Sequence, residues 1–321
     1  MSRRFVVRRI LVALATLAAI IVFNFFLFRT LGDPSKDLIR GRLKPDVRAA
    51  IIHERGYDQS ELTQFWRYVG DLAHGDLGTS NATERPVLDE VAEAIPNTLL
   101  LLGLATILSM WIGTRLGIIA AWRRGRPKDT LIGQVSLAFY SMPDFWLGMV
   151  FIGFFAGSLA WLPGGLRETP GGPGGWGFDH IQSVATHMIL PTVTLALGEI
   201  GQYVFISRAA VADVMDADHV LTARAIGLRP LTVRRRHIVP SARLPIVTQI
   251  ALNLGFILGG AITVEALFSW PGIGLRTLDA IQAKDYPMLQ GLYLVTSLLV
   301  IVANLSADLL YGRLDPRVRS E

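Results

Sequence analysis

The sequence predicts an all-α, polytopic membrane protein with six transmembrane helices. Of its 321 residues, 51% are hydrophobic and only 18% are charged, and the mean hydropathy is +0.42. An average soluble protein is about a quarter charged. The apolar residues collect in blocks of roughly 20, the length that a helix needs to cross a bilayer. The strongest clusters of basic residues occupy every second connection between these blocks, as a multi-pass protein requires.

The first predicted span covers Ile10–Phe28 and follows an arginine-rich start, Arg3 to Arg9. A signal peptide also begins with positive charge, but its apolar part is shorter and ends in small residues at a cleavage site. Here the block continues through Phe25 and Phe26 to Arg29. We therefore expect residues 1–30 to form a retained helix with a cytoplasmic N-terminus.

A polar segment of mixed charge, residues 31–97, follows on the extracytoplasmic side. Helices are predicted within it near Pro45–Arg55 and Ser60–Leu72. Long segments of this kind cross the membrane regardless of their charge. The remaining predicted spans are Thr98–Trp122, Gln134–Trp161, His187–Ile206, Pro245–Phe268 and Leu289–Tyr311. They make residues 98–311 the membrane core and leave 312–321 as a cytoplasmic tail.

The charges agree with this topology. Arginine clusters follow the second, fourth and sixth spans, at Arg123–Arg126, Arg208–Arg243 and Arg313–Arg319. With a cytoplasmic N-terminus, all three clusters face the cytoplasm, as the positive-inside rule expects. The net charge of +5 is therefore explained by topology, and it does not indicate nucleic-acid binding.

Patterns that would indicate an enzyme are missing from the sequence. It has no cysteine, no HExxH, no GxSxG and no GxxxxGK[ST] nucleotide-binding loop. The glycine-rich stretch at residues 163–178 is better explained as an external loop. The acidic residues Glu199, Glu265 and Asp308 fall near the ends of predicted spans. A proton-coupled transporter working alone would place such a residue at mid-span.

The longest cytoplasmic loop, residues 207–245, has the pattern of a docking element. HVLTARAI consists of good helix formers, and Gly227 follows where a helix would end. Pro230 can open a second short helix, which Pro240 would end. Ala223 and Ala225 keep the first helix slim, so that another protein's backbone can approach. The arginine run at 234–236 is also compatible with anchoring to anionic headgroups.

This loop resembles the EAA loop of ABC-importer permeases, which reads EAA, three residues, Gly, nine residues, I-x-L-P. Leu221, Thr222 and Ala223 fall on the EAA triplet, so only the last alanine is kept. His237 and Val239 replace the usual isoleucine and leucine, while Pro240 matches. TARA-x-G is similar to the version in dipeptide, oligopeptide and nickel permeases of the DppB/OppB type.

Further segments resemble the same family, and they cover nearly the whole chain in the right order. They are GDLGTS (75–80), SMPDFWLG (141–148), LPTVTLAL (190–197), EALFSWPGIG (265–274), DYPMLQG (285–291) and ADLLYGRLDPRVR (307–319).

The resemblance implies the type I ABC importer permease fold in a bacterial plasma membrane, with both termini cytoplasmic. The implied partners are a homologous second permease, two ATPase subunits or domains, and an extracytoplasmic binding protein. ATP and magnesium would be bound by the ATPases, whereas this chain would bind no cofactor or metal and carry no catalytic residue. Peptides are the expected cargo. Nickel or another small solute remains an alternative, as does a secondary transporter that works alone.

The resemblance and the loop pattern together give two groups of candidate residues. The ATPase-coupling group is Asp218, Thr222, Ala223, Arg224, Ala225, Gly227 and Pro240. The pathway or gate group is Pro143, Asp144, Phe145, Glu265, Trp270, Pro271 and Gly272. Pro143 lies inside the third predicted span, where it must disturb the helix. A kink without a functional role is an equally good explanation at that position.

Overall fold

The computed structural model describes residues 3–31, 58–172, 175, 177–243, 246–247 and 262–314. Four helices in these ranges are long and apolar enough to cross a membrane, and a bent helix pair supplies a fifth candidate span. Most of the predicted span Pro245–Phe268 lies outside the described residues, as do the predicted helix Pro45–Arg55 and most of the tail.

The first helix, α1 (Arg3–Leu31), contains the predicted first span. It packs along the last helix, α12 (Tyr286–Leu314). Asn24 is fully buried in this contact and donates hydrogen bonds to the Gln290 carbonyl and the Tyr68 hydroxyl, both at 3.1 Å. These bonds hold α1 against the body of the protein.

Two helices follow α1 among the described residues. The first lies within the segment predicted at residues 31–97, and the second begins in that segment and contains the second predicted span. α2 (Glu61–Ala73) begins where Ser60 caps it, since the Thr63 N–H donates to the Ser60 hydroxyl at 3.3 Å. α3 (Val87–Trp122) starts 11 residues before the predicted span at Thr98 and ends at the predicted Trp122. The extra turns begin just after Pro86, with Asp89 and Glu90 in the first turn of the helix.

α3 packs most extensively on the central helix, α6 (Phe178–Met215). The contact depends on Gly113 and Gly117, which are four residues apart. A Cβ at Gly117 would come within 2.6 Å of the Val204 carbonyl oxygen on α6. Small residues with this spacing allow membrane helices to approach closely.

The third predicted span is two helices rather than one kinked helix. α4 (Pro127–Ser141) ends before Pro143, and α5 (Asp144–Phe151) then leaves at an angle of 98° and continues as a π-helix, Ile152–Ser158. Met142 and Pro143 both have extended backbone. The proline ring disfavours the helical conformation of the residue before it, here Met142. The first helix therefore stops there, and a new one starts after Pro143.

The loop predicted at residues 207–245 is more helical than expected in its described part. α6 runs nine residues past the predicted end at Ile206. After a short turn come α7 (Asp218–Ala225) and α8 (Pro230–Thr232), then a π-helical turn, Val233–Ile238, and α9 (Val239–Ser241). Pro240 therefore lies at the start of α9 and does not end the second helix as predicted, because a proline at that position needs no hydrogen-bond donor.

Two short helices precede α12 in the chain. α10 (Ile262–Leu267) is the described end of the fifth predicted span, and α11 (Ile273–Ala283) follows it. α11 packs against the start of α3 in a cluster that includes Val87, Val91 and Ile273. This junction, at the opposite end of the core from α7, contains several of the predicted gate residues.

Candidate functional site

The predicted coupling helix α7 is held on the underside of the core by its own buried face. Val220 and Ala223 are 0% and 3% exposed and pack with Val211, Val233 and Ile238. Ala223 was predicted to leave room for a partner. It lies instead inside this cluster, because its position on the helix faces the protein's own π-helical turn.

The other face of α7 is free to contact a partner. Ile226 is 71% exposed, and Thr222, Arg224 and Ala225 are also exposed. Thr222 donates its hydroxyl to the Asp218 carbonyl at 2.9 Å, so that it supports the helix. Among the predicted coupling residues of α7, Ala223 is therefore buried, whereas Asp218, Thr222, Arg224 and Ala225 are exposed.

Gly227 ends α7 in a Schellman motif. The Gly227 N–H donates to the Arg224 carbonyl at 3.0 Å, and the Leu228 N–H donates to the Ala223 carbonyl at 3.2 Å. The φ of Gly227 is +81°, and a side chain there would meet no atom within 4 Å. Backbone conformation therefore requires this glycine, whereas space does not.

The arginine run divides between two environments. The Arg234 guanidinium lies over the Trp122 ring, 5.8 Å from its centroid, which joins the π-helical turn to the end of α3. Arg235 and Arg236 are exposed. On the same side, Arg208 of α6 makes a two-pronged ion pair with the buried Asp129 of α4, at 2.6 and 2.8 Å.

The break at Pro143 brings two acidic side chains together where α3, α5 and α6 meet. Asp144 opens α5, and a Cβ at Gly198 of α6 would collide with its carboxylate. The next residue, Glu199, accepts hydrogen bonds from Ser109 at 3.2 Å and Thr106 at 3.4 Å, both on α3. Three helices thus converge on two half-buried carboxylates. Phe145 is exposed on the outside of this group.

The position predicted for Glu199 near a span end is wrong. Since α6 starts at Phe178 and has 38 residues, Glu199 is its 22nd, counted as 199 − 178 + 1. Asp308, by contrast, lies where expected and forms a 2.9 Å ion pair with Arg9.

At the opposite end of the core, Glu265 caps α11. Its carboxylate accepts from the Thr98 hydroxyl at 2.7 Å and from the Gly274 and Leu275 N–H groups at 2.6 and 3.3 Å. A Cβ at Gly272 would overlap this carboxylate. A carboxylate at a helix N-terminus satisfies N–H groups that have no partner within the helix.

The remaining gate candidates form the same junction. The Trp270 indole N–H donates to the Asn97 carbonyl at 2.9 Å, and the Asn97 amide donates to the Pro271 carbonyl at 2.9 Å. Glu265 and Trp270 are both 0% exposed. In this conformation they are therefore packing residues that fasten α10 and α11 to α3, and they present no surface to a solute.

A second contact between distant segments, which joins residues 80–82 to the start of α12, was not predicted. The Ser80 hydroxyl, at the end of GDLGTS, donates to the Asp285 carboxylate at 2.5 Å, and the Ala82 N–H donates to the same oxygen at 3.1 Å. Asp285 opens DYPMLQG and also accepts from the Met288 N–H at 3.1 Å. The two segments that resembled the family separately are thus one structural unit. No local pattern signals a contact between residues 205 positions apart.

Comparison with known proteins identifies this architecture. Residues 113–320 match the family described as "Binding-protein-dependent transport system inner membrane component", and residues 2–102 match its N-terminal component. The chain is 36% identical to the di/tripeptide transport system permease DppB of Pseudomonas aeruginosa (strain UCBPP-PA14), over 99% of both chains. It is 37% identical to the probable D,D-dipeptide permease DdpB of Escherichia coli K12, covering 94% of this chain and 93% of that one. It is 36% identical to the glutathione permease GsiC of Escherichia coli O6:H1, over 98% of both.

The fold matches solved structures as well. The inward-facing methionine ABC transporter MetNI superposes with a TM-score of 0.57 at 14% identity, over 70% of this chain and 96% of that one. A second crystal form of that transporter gives 0.53 at 15% identity. Permeases of this family are integral inner-membrane proteins that work with a partner permease, ATPases and a binding protein. The chain belongs to the family of binding-protein-dependent inner-membrane transport components and is a permease subunit of an ABC importer, not an enzyme.

Proposed function

We propose that this permease imports small peptides. The observation that carries the proposal is the 36% identity, over 99% of both chains, with a permease named for di- and tripeptides. The D,D-dipeptide and glutathione relatives are permeases for peptides too, at 37% and 36% identity. Nickel or another small solute is the alternative cargo, and the nickel permeases share the TARA-x-G form of the loop.

The working complex would contain this chain, a homologous second permease, two ATPase subunits or domains and an extracytoplasmic binding protein. ATP and magnesium would be bound by the ATPases. The N- and C-termini would be cytoplasmic, since Arg9 of α1 pairs with Asp308 of α12, and the positive-inside rule places the arginine-rich segments of the sequence on the cytoplasmic side.

ATP-driven movement would enter the chain at α7. Its exposed residues Thr222, Arg224, Ala225 and Ile226 would fit a groove on the ATPase, while buried Val220 and Ala223 hold the helix rigid against the core. Asp218 places a negative charge at the helix start. Because Gly227 reverses the chain sharply, the π-helical turn folds back against the buried side of α7.

The solute pathway would run past the break at Pro143. Asp144 and Glu199 are acidic, half-buried and centrally placed, and charges at membrane depth ordinarily face a pathway or a partner. They suit the ammonium group of a peptide. Glu265, Trp270, Pro271 and Gly272 would support the outer gate from behind.

Uptake by the reconstituted complex tests the cargo. The full-length chain, its partner permease, ATPases and binding protein are placed in proteoliposomes with ATP inside, and uptake of a labelled dipeptide is compared with that of ⁶³Ni²⁺. We expect ATP-dependent dipeptide uptake. Nickel uptake without dipeptide uptake would overturn the peptide assignment, and uptake driven by an ion gradient without ATP would favour a secondary transporter.

Variants of α7 test the coupling. Arg224→Glu and Gly227→Val should reduce co-purification of the ATPase and abolish ATP-driven uptake. Arg235→Glu makes the same charge change on the neighbouring π-helical turn, and it should have a small effect because Arg235 lies outside α7. If both α7 variants assemble and transport normally, α7 is not the coupling helix.

A further inference from the structure

The short helix α2 has an apolar stripe whose two largest side chains the described protein leaves mostly exposed. Leu62 and Trp66 are 65% and 64% exposed, and they are four residues apart, so they lie on one side of the helix. Val69 and Ala73 continue the same side at helical spacing. The stripe is therefore four residues long and runs the whole length of the helix.

A different side of α2 attaches the helix to the protein. The Tyr68 hydroxyl accepts a hydrogen bond from the buried Asn24 of α1 at 3.1 Å, and Gln64 is buried. Phe65 stacks on Phe26 of α1, with ring centroids 6.2 Å apart and planes at 15°. The orientation of α2 about its own axis is thus determined by α1.

A third side of α2 is polar. Thr63, Arg67 and Asp71 follow one another at four-residue spacing and are all exposed. α2 therefore has three sides: one on α1, one apolar and exposed, and one polar and exposed. This pattern is typical of a helix that lies in the plane of a membrane interface.

The apolar stripe is continuous with the lipid-facing surface of α1. α1 crosses the membrane with only 11% of its apolar window buried inside the protein, and Phe23 and Phe26 are 56% and 43% exposed. Phe26 touches Phe65, and the Phe65 ring lies 5.5 Å from that of Trp66. One band of aromatic rings thus leads from the spanning helix to the stripe, and tryptophan is enriched at the headgroup level of membranes.

We propose that α2 is a membrane-surface helix whose Leu62–Trp66 stripe inserts into the outer leaflet beside α1. The partner is lipid, at the boundary between headgroups and acyl chains. α2 leads directly into GDLGTS, whose Ser80 holds Asp285 at the start of α12. Lipid contact at α2 therefore positions the Ser80–Asp285 contact relative to the membrane surface.

The lack of native cysteine makes a direct test possible. Single-cysteine variants Leu62→Cys, Trp66→Cys and Asp71→Cys are labelled with an environment-sensitive fluorophore, in the full complex with otherwise cysteine-free partners, reconstituted in phosphatidylcholine nanodiscs. Fluorescence quenching by lipids brominated high in the acyl chain is compared with quenching by aqueous iodide. Asp71 is the matched control, since it lies on the same helix and faces the polar side.

We expect bromolipid quenching at 62 and 66 at least about twofold stronger than at 71, because an interfacial helix buries its apolar face about 5–10 Å into this boundary. Iodide should quench most strongly at 71. Iodide quenching of 62 and 66 equal to that of 71 would mean that water covers the stripe. Protection of 62 and 66 from both quenchers would mean that protein covers it, from this chain or a partner. Either result overturns the proposal.

Discussion

At the scale of single residues, this permease places carboxylates where several backbone and side-chain donors converge. Glu265 satisfies the start of α11 and the Thr98 hydroxyl, and Asp285 does the same for the start of α12 and the Ser80 loop. Both are nearly inaccessible to water. A buried donor that loses its acceptor is costly, so these acids contribute to stability more than surface acids do.

Removing the Glu265 carboxylate should therefore destabilise the protein. Glu265→Ala leaves the Thr98 hydroxyl and the Gly274 N–H without an acceptor, at roughly 1–3 kcal/mol for each unsatisfied group. Thermal melting of the solubilised permease should show a fall of several degrees. Asp279→Ala, which removes an exposed carboxylate from α11, the helix that Glu265 caps, should leave the melting temperature unchanged. Equal melting of both variants would exclude a capping role for Glu265.

Glu199 has a different predicted effect, because it is only half-buried and its hydrogen bonds survive an amide substitution. Glu199→Gln should fold normally but take up peptide about tenfold more slowly. The variant loses the negative charge that the peptide's ammonium group would meet, and a hydrogen bond to a charged group contributes about 1.5–3 kcal/mol. ATP-driven uptake in proteoliposomes measures this. Glu93→Gln, at an exposed position on the outer start of α3, is the control. Unchanged uptake by Glu199→Gln would remove Glu199 from the pathway.

At the scale of elements, glycines determine how closely the helices approach. Gly113 and Gly117 let α3 touch the backbone of α6, while Gly201 lets α6 approach Ser136 and Tyr140 of α4. Gly103 lies on α3 too, but a side chain there would meet nothing within 4 Å. Glycines on one helix thus have different roles, which their frequency in the sequence does not reveal.

This difference predicts that replacing glycine with alanine lowers stability at position 117 but not at position 103. Gly117→Ala forces a methyl group against the Val204 carbonyl, so the helices must separate, and overpacking of this kind costs about 1–3 kcal/mol. Gly103→Ala should leave stability unchanged or raise it by up to about 1 kcal/mol, because alanine favours the helix. Melting curves of the two variants compare them directly. A Gly117→Ala protein as stable as the Gly103→Ala protein would contradict the close packing.

At the scale of the whole molecule, α6 connects the region of α7 to the carboxylates of Asp144 and Glu199. Its 38 residues extend about 57 Å at the usual helical rise. The lower end leads through a short turn to α7, and Glu199 lies near the middle. Arg208 clamps the lower part to Asp129 of α4, and α4 ends at the Pro143 break. If α7 is the coupling helix, as proposed above, its movement reaches Asp144 and Glu199 through α6 and α4.

Loss of the clamp should uncouple ATP hydrolysis from transport. Arg208→Gln removes a two-pronged pair to a carboxylate that is only 7% exposed, so we expect uptake to fall several-fold while ATPase activity and assembly persist. Arg124→Gln breaks a 3.4 Å pair with Asp216, and it should have little effect because exposed pairs contribute about 0–1 kcal/mol. Parallel loss of uptake and ATPase activity in Arg208→Gln would indicate misassembly instead.

Much of this architecture was predictable from the sequence. Hydropathy located α1, α3, α6 and α12, and the composition of the cytoplasmic loop located α7 and its end at Gly227. The Pro143 break was underestimated as a kink, and the side of α7 that Ala223 occupies was misjudged. Both errors concern geometry beyond one helical turn, which local composition does not specify.

The sequence by itself determined that this is a multi-pass ABC importer permease, because span length, basic loops and the spacing from the TARA-x-G segment to Pro240 are local properties of the chain. Tertiary structure alone decided which hydrogen-bond donors the buried and half-buried acids meet. Glu199 meets Ser109 across 90 residues, Glu265 meets Thr98 across 167, and Asp285 meets Ser80 across 205. Such contacts arise only when separate helices pack, so their energies depend on the folded arrangement rather than on neighbouring residues.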